Sequence, residues 1–239
     1  MAVRHDRFRT REVARYGKLG RAAGMLTTTL ESAVAQIPDG TSLMIGGFMG
    51  VGSPERLIDE LLRQGRRDLT VIANDTATPG RGIAKLVAAR ALRKAVVSHI
   101  GLNPETQRQM IAGELEVELV PQGTLIERIR AGGYGLGGIL TSTGVGTMVE
   151  DGKRKIEVDG VEYLLETPLR ADFALLEAYL SDYLGNLVYA LTARNFNPVI
   201  AMAAETVMAD VAHIVPVGTI SPDHVVTPAV LVDYVVAHE

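Results

Sequence analysis

The sequence predicts an α/β fold, a largely parallel sheet with helices on both faces, carrying a β-rich extension in its second half. Strand-length apolar runs alternate with segments of helical periodicity from Met25 onward, and their junctions carry Gly, Pro or Asn. A two-residue Asp159-Gly160 turn between two short runs late in the chain marks a hairpin, which a purely parallel sheet does not contain.

Leu43 to Ile45 is a short apolar strand. Pro54 to Gln64 places Leu57, Ile58, Leu61 and Leu62 on one helical face and closes at Gly65, with Ser53 as N-cap and Pro54 at the first helical position. A strand at Leu69 to Ala73, a helix around Ile83 to Arg93 and a strand at Ala95 to His99 follow. A helix at Pro104 to Ala112, a strand at Leu115 to Val120 and a helix at Thr124 to Arg130 extend the alternation. Gly132 to Gly138 and Thr141 to Thr147 read as a flexible, glycine-dense segment. Lys155 to Val158 and Val161 to Leu165 form the hairpin. Phe173 to Leu180 and Leu187 to Leu191 read as buried strands flanking Asp182 to Asn186. A short helix starts near Asn197-Pro198, and strands near Val211 to Val215 and Val230 to Val236 end the pattern.

The chain has 239 residues, 47% of them hydrophobic, enough to bury a sizeable core. No repeat or low-complexity linker divides it, so residues 25–239 read as one domain. Residues 1–24 carry seven basic side chains against Asp6 and Glu12. This basic leader is expected to be disordered, with Met25 as the functional start, because it has no serine and no amphipathic apolar face of the targeting type. The acidic balance of the body argues against a nucleic-acid partner. The absence of cysteine excludes disulfides and thiolate chemistry. No apolar run reaches the roughly 18 residues that span a bilayer, so no membrane association is expected, and a cytoplasmic location is the default.

Spacing disfavours several chemistries. From Gly146 to Gly152-Lys153-Arg154 there are five intervening residues and a terminal Arg, where a phosphate loop requires four and a Ser or Thr. After Gly50-Val51-Gly52 the position a dinucleotide fingerprint reserves for Gly is Glu55, although Asp75 sits where a ribose-binding acid would. No Gly-x-Ser-x-Gly elbow occurs. His5, His99, His213, His224 and His238 lack metal-ligand spacing, so no metal is expected, and His99 reads as packed or hydrogen-bonded.

The run Asp39-Gly40-Thr41-Ser42-Leu43-Met44-Ile45-Gly46-Gly47-Phe48-Met49-Gly50-Val51-Gly52-Ser53-Pro54 joins a strand to a helix through glycines. Read physically it is a binding loop, since glycine lets backbone N–H groups approach a ligand and a helix N-terminus favours negative charge. The run resembles the N-terminal signature of the class I coenzyme A transferases. The stretches Glu114 to Leu125, Glu127 to Gly133, Thr143 to Thr147, Gly185-Asn186 and Ala193 to Asn197 resemble that family's alpha subunits in order and spacing.

The resemblance implies transfer of coenzyme A between short-chain carboxylic or 3-oxo acids of the acetyl-CoA and acetoacetate type. The reaction runs through a glutamyl-CoA thioester with no cofactor, coenzyme A itself being a substrate. It implies that the glutamate, in a Glu-Asn-Gly context, lies on a partner beta subunit in an α2β2 assembly; this chain contains no Glu-Asn pair. Asn74 and Gln122 match the family's catalytic amides, an oxyanion-hole donor and a neighbour of the catalytic glutamate. Without the resemblance, Asn74 reads as a cap and Gln122 as a turn residue. Gly46, Gly47, Phe48, Gly50, Gly52 and Gly123 are expected to line the substrate site, with Phe48 either anchoring the loop or walling the pocket.

Two departures stand out. Met49 follows Gly-Gly-Phe where many relatives have Gly, and Asp75 replaces a second Asn, placing a negative charge near the expected substrate carboxylate. A competing reading is a non-catalytic sensor of an acyl-CoA or anionic metabolite, which would not need both amides. A sugar-phosphate isomerase or deaminase lacks an identifiable acid/base pair.

Overall fold

The computed structural model of the chain describes residues 26–237; the basic leader 1–24, Met25, His5 and His238 lie outside the described residues. In chain order the elements are β1 (Leu26–Thr27), α1 (Leu30–Val34), β2 (Ser42–Ile45), α2 (Glu55–Arg63), β3 (Leu69–Ile72), α3 (Ala84–Ala88), β4 (Leu92–Val97), α4 (Pro104–Ile111), β5 (Glu116–Leu119) and α5 (Gln122–Tyr134). There follow β6 (Ile139–Thr141), β7 (Lys155–Val158), β8 (Val161–Glu166), β9 (Ala171–Asp182), β10 (Leu187–Val188), α6 (Asn197–Ala203), β11 (Ala204–Val215) and β12 (Tyr234–Ala237).

Local chemistry sets several boundaries. Asn103 Oδ1 accepts from the Thr106 N–H at 3.2 Å, with Pro104 at the first helical position of α4. Gly65, at φ +69°, closes α2: its N–H donates to Leu62 O, and the Arg66 N–H donates to Leu61 O, the paired bonds of a Schellman motif.

The main sheet has the order β1-β12-β11-β9-β2-β3-β4-β5, all parallel, with the short β10 antiparallel on β9. A separate antiparallel sheet of order β6-β8-β7 forms the β-rich extension. Alternate residues of the central strands feed two cores. Leu43, Ile45, Val71, Leu175 and Met208 pack with Leu57, Ile58, Leu61 and Leu86 on one face. Met44, Ile72, Leu176 and Val207 pack with Leu125, Ile129 and Ile200 on the other. Burial on both sides is what permits an all-parallel arrangement.

Six sequence expectations are corrected. Ser53 does not cap α2: Pro54 occupies the N-cap without a side-chain bond, and Ser53 instead packs against Gly47 and Gly82. The third helix stops at Ala88 rather than Arg93, because Arg90 adopts φ +56° and the Ala91 N–H closes on Leu86 O, freeing Leu92 to pair beside β3. The glycine-dense segment is helical through Tyr134, its close approaches requiring Gly132 and Gly133. The strand expected to reach Leu191 ends at Val188, and Leu191 lies in a short 3-10 turn at 94% exposure. The strand expected from Val211 begins at Ala204, and the last strand begins at Tyr234 rather than near Val230.

Candidate active site

Strand order reverses direction at β2, which has β3 on one side and β9 on the other. Crevices at the carboxyl ends of parallel strands around such a point collect ligands. The sequence-predicted residues leave the sheet at these ends: Gly46 to Gly52 after β2, Asn74 after β3, and Gln122 after β5.

Asn74 and Gln122 meet directly. Gln122 Nε2 donates to Asn74 Oδ1 at 3.0 Å, although the two are 48 residues apart. Asn74 is 1% exposed, whereas Gln122, at the first position of α5, is exposed. Ser98, just beyond β4, donates from Oγ to Asn74 O at 2.6 Å and to Asn74 Oδ1 at 3.3 Å, fixing the amide from a third strand end. Gly123 follows Gln122 with open space where a Cβ would stand.

Asp75 ties this pair to the glycine-rich turn. Its Oδ2 accepts from the Met49 N–H at 3.0 Å and from Asn74 Nδ2 at 3.2 Å, and its Oδ1 accepts from the Ala77 N–H at 2.6 Å. Three donors thus surround the carboxylate that sequence reading places as a charge beside the substrate. Phe48 and Val51 exchange two backbone hydrogen bonds of 2.9 Å across Met49, at φ +52°, and Gly50, at φ +87°. These are the signs of φ a type I′ turn demands, and Met49 holds a left-handed conformation that costs a non-glycine residue about 1 to 2 kcal/mol. Phe48 is 46% exposed, so it does not anchor the loop in the core.

The remaining glycines serve close packing. A Cβ on Gly46 would fall on Asn197 Oδ1, and one on Gly52 would meet Ala193 O and Asn195 Nδ2. The Gly46 N–H donates to Leu175 O and the Gly47 N–H donates to Asn195 Oδ1, both at 3.0 Å. With the Met49 N–H on Asp75 and the Phe48 and Val51 N–H groups on each other's carbonyls, five loop amides already have protein partners, so the turn is a pinned wall rather than an open cradle for an anion.

Asn195 and Asn197 are the structural residues that the loop motif does not reveal. Asn195 Nδ2 donates to Val51 O at 2.9 Å, and Asn197 Nδ2 donates to Gly52 O at 2.9 Å and Ala193 O at 2.8 Å. Asn197 Oδ1 also accepts from the Glu177 N–H at 3.2 Å. The sequence signals are two amides around Phe196 at a helix start, within the Ala193 to Asn197 stretch that resembles the family, and neither says what the amides bind. Their target lies about 145 residues upstream. Burial, then the nearby charges of Asp210 and Glu55, pushes the Glu177 carboxyl above the ordinary carboxylate range.

Among the described residues no group of three or more metal-ligating side chains could hold a metal ion, and no helix is long and apolar enough to cross a membrane. No glutamate side chain hydrogen-bonds to Asn74 or Gln122 among them.

The chain is similar to known proteins over most of its length. The family pattern described as coenzyme A transferase matches residues 27–238. The acetate CoA-transferase subunit alpha of Escherichia coli (strain K12) is 54% identical over 211 residues, covering 88% of this chain and 96% of that protein. The acetoacetyl-CoA:acetate/butyrate CoA transferase alpha subunit of Clostridium acetobutylicum is 50% identical over 198 residues, 83% of this chain and 91% of that one. A crystal structure of an acyl-CoA transferase from E. coli O157:H7, in a thioester complex with CoA, superposes with a TM-score of 0.79 at 26% identity. It covers 90% of this chain and 47% of that longer chain.

Proposed function

The chain belongs to the coenzyme A transferase family, and on that premise we propose that it is the alpha subunit of a transferase moving coenzyme A between short-chain carboxylic or 3-oxo acids. Its partner is a beta subunit carrying the reactive glutamate, in an α2β2 complex that works in the cytoplasm without metal or external cofactor. The likeness to named alpha subunits supports the partner, and the absence of a Glu-Asn pair from this chain supports where the glutamate lies. The sensor reading has no counterpart among these relatives.

The reaction divides one acyl transfer into easier steps. The partner's glutamate carboxylate attacks the thioester carbonyl of the acyl-CoA; the C–S bond breaks, leaving a mixed anhydride and the CoA thiolate. The thiolate then attacks the glutamyl carbonyl, releasing the first carboxylate and forming the glutamyl-CoA thioester. A second carboxylate reverses both steps. Asn74 and Gln122 contribute amide dipoles, which donate to developing negative charge without adding a competing charge of their own. The Phe48–Val51 turn and Gly123 flank the substrate and keep water from the two hydrolysable intermediates.

The observation that carries this reading is the direct Asn74–Gln122 hydrogen bond at the strand ends, in a chain whose match spans 96% of a named alpha subunit. The test is to purify the chain with its beta subunit, assay transfer from acetyl-CoA to acetoacetate, and trap the thioester with borohydride. Gln122→Ala should lower kcat by about 100-fold or more while the complex still assembles. An unchanged kcat removes the role of Gln122, and failure of the wild-type complex to form the thioester removes the transferase reading.

A further inference from the structure

Arg81 lies on the segment that runs from Asn74 and Asp75, past the end of β3, to the start of α3, and its side chain rests on the glycine-rich turn. A Cβ on Gly50 would stand 3.1 Å from Arg81 Cβ, 3.6 Å from its Cδ and 3.9 Å from its Nε. Gly50 thus makes room for the arginine stem as well as for the turn. The Arg81 backbone is fixed on both sides: its N–H donates to Thr78 O at 3.1 Å, and its carbonyl accepts from the Ala84 N–H at 3.0 Å. The side chain is exposed, and its guanidinium makes no hydrogen bond or ion pair among the described residues.

The carboxylates nearby are already engaged. Asp75 receives the Met49 N–H, Asn74 Nδ2 and the Ala77 N–H. Glu55 Oε1 accepts from the Gly82 N–H at 2.7 Å and its Oε2 pairs with Lys85 at 2.7 Å, while Asp59 pairs with the same Lys85 at 2.6 Å. Arg81 therefore brings to the rim of the site a cation that the protein's own acids leave unpaired. Its planar fork matches a carboxylate, which it takes through two parallel N–H bonds. The turn beneath it connects to the site amides through the Met49 N–H on Asp75, Asn74 Nδ2 on Asp75 and Gln122 Nε2 on Asn74. A dicarboxylic acid carries its second carboxylate only a few bonds from the reacting one, whereas the phosphates of coenzyme A stand beyond the whole pantetheine arm.

We propose that Arg81 is a specificity-determining residue, which holds the second carboxylate of a dicarboxylic acid while the first undergoes transfer. This inference deepens the transferase reading by naming the class of short-chain acid, and rests on it for its kinetic arm. The charge of Asp75 does not forbid a second carboxylate at this rim, because three donors already surround it. Since the contact is made in the ground state and the transition state alike, it acts on KM rather than kcat.

The kinetic arm uses the assembled complex with acetyl-CoA as donor, and compares succinate, glutarate and adipate with butyrate, valerate and hexanoate, the monocarboxylic acids of equal length. The wild type should favour the dicarboxylic member of at least one pair in kcat/KM. Arg81→Ala should lower that preference by about 10- to 100-fold, the range of hydrogen bonds to a charged group, through a higher KM for the dicarboxylic acid. Arg81→Lys, which keeps the charge without the fork, should fall between the two. A wild type that favours the dicarboxylic acid in no pair overturns the proposal, as does a preference unmoved in Arg81→Ala. A higher KM for acetyl-CoA in place of the acid assigns Arg81 to a phosphate of the coenzyme, and loss of assembly assigns it to the subunit contact; either overturns it.

The second arm reads binding without turnover, and so decides the role of Arg81 even where the wild-type complex transfers nothing. In calorimetric titration of the same acids, the complex with Arg81→Ala should bind the favoured dicarboxylic acid about 10-fold or more weakly than wild type. Equal affinities overturn the proposal, whereas absent transfer with this difference intact overturns only the transferase reading.

Discussion

Asn197 shows how much of the site depends on single buried amides. It is fully buried, and its Nδ2 and Oδ1 satisfy the carbonyls of Gly52 and Ala193 and the N–H of Glu177. Each buried group left without a partner costs about 1 to 3 kcal/mol, so Asn197→Ala is expected to lose about 3 kcal/mol or more in urea unfolding of the full chain. Glu177 behaves oppositely. Burial and the charges of Asp210 and Glu55 raise its folded-state pKa above the unfolded value, so at neutral pH its ionised form destabilises the native state. That penalty fades as pH falls through the raised value and is gone below the ordinary value of about 4.3. Glu177→Gln should therefore have a higher urea midpoint than wild type at neutral pH, and the two midpoints should converge in acid. Asn74 and Gln122 are legible as site candidates in the sequence. Asn195, Asn197 and the clamping use of Asp75 are not, because an amide or carboxylate announces its type but not the distant backbone group it will meet.

The elements follow local pattern closely where a hydrophobic period runs uninterrupted. The strands around Leu43, Leu69 and Leu115, the helix closed by Gly65, and the Asp159-Gly160 hairpin are legible for this reason. Reading fails where tertiary packing overrides propensity. Glycines 132 and 133 read as a break, yet α5 runs through them because other segments come too close for a side chain. A Cβ on Gly132 would meet Leu169 O at 1.9 Å, and one on Gly133 would meet Met202 Cβ at 2.7 Å. Gly132→Ala gains about 1 kcal/mol of helix propensity but must separate these segments, so a net destabilisation of about 1 to 3 kcal/mol is expected from thermal unfolding. A stabilised variant would show that this close approach is not required. The early stop of α3 has the same character: Arg90 turns left-handed because Leu92 is needed in the sheet, not because arginine favours that turn.

At the scale of the molecule, parallel order brings the ends of β2, β3, β4 and β5 to one edge, and the site is assembled along it. The chain spans 47% of the longer acyl-CoA transferase polypeptide it superposes on, while covering nearly the full length of its alpha-subunit relatives. It follows that the purified chain should show no transfer of its own and should gain it on addition of the beta subunit. Activity from the chain alone would place the nucleophile here instead.

Apolar periodicity, glycine and proline punctuation, and the spaced motif from Asp39 to Pro54 determine the α/β class, most elements and the family, because each depends on residues close together along the chain. The strand order, the Asn74–Gln122 pair and the pinning of the glycine-rich turn by Asp75, Asn195 and Asn197 are settled only on folding. Those contacts join residues from 26 to about 148 positions apart. A hydrogen bond of that kind is decided by which strand ends the packed sheet places side by side, and no local pattern encodes it.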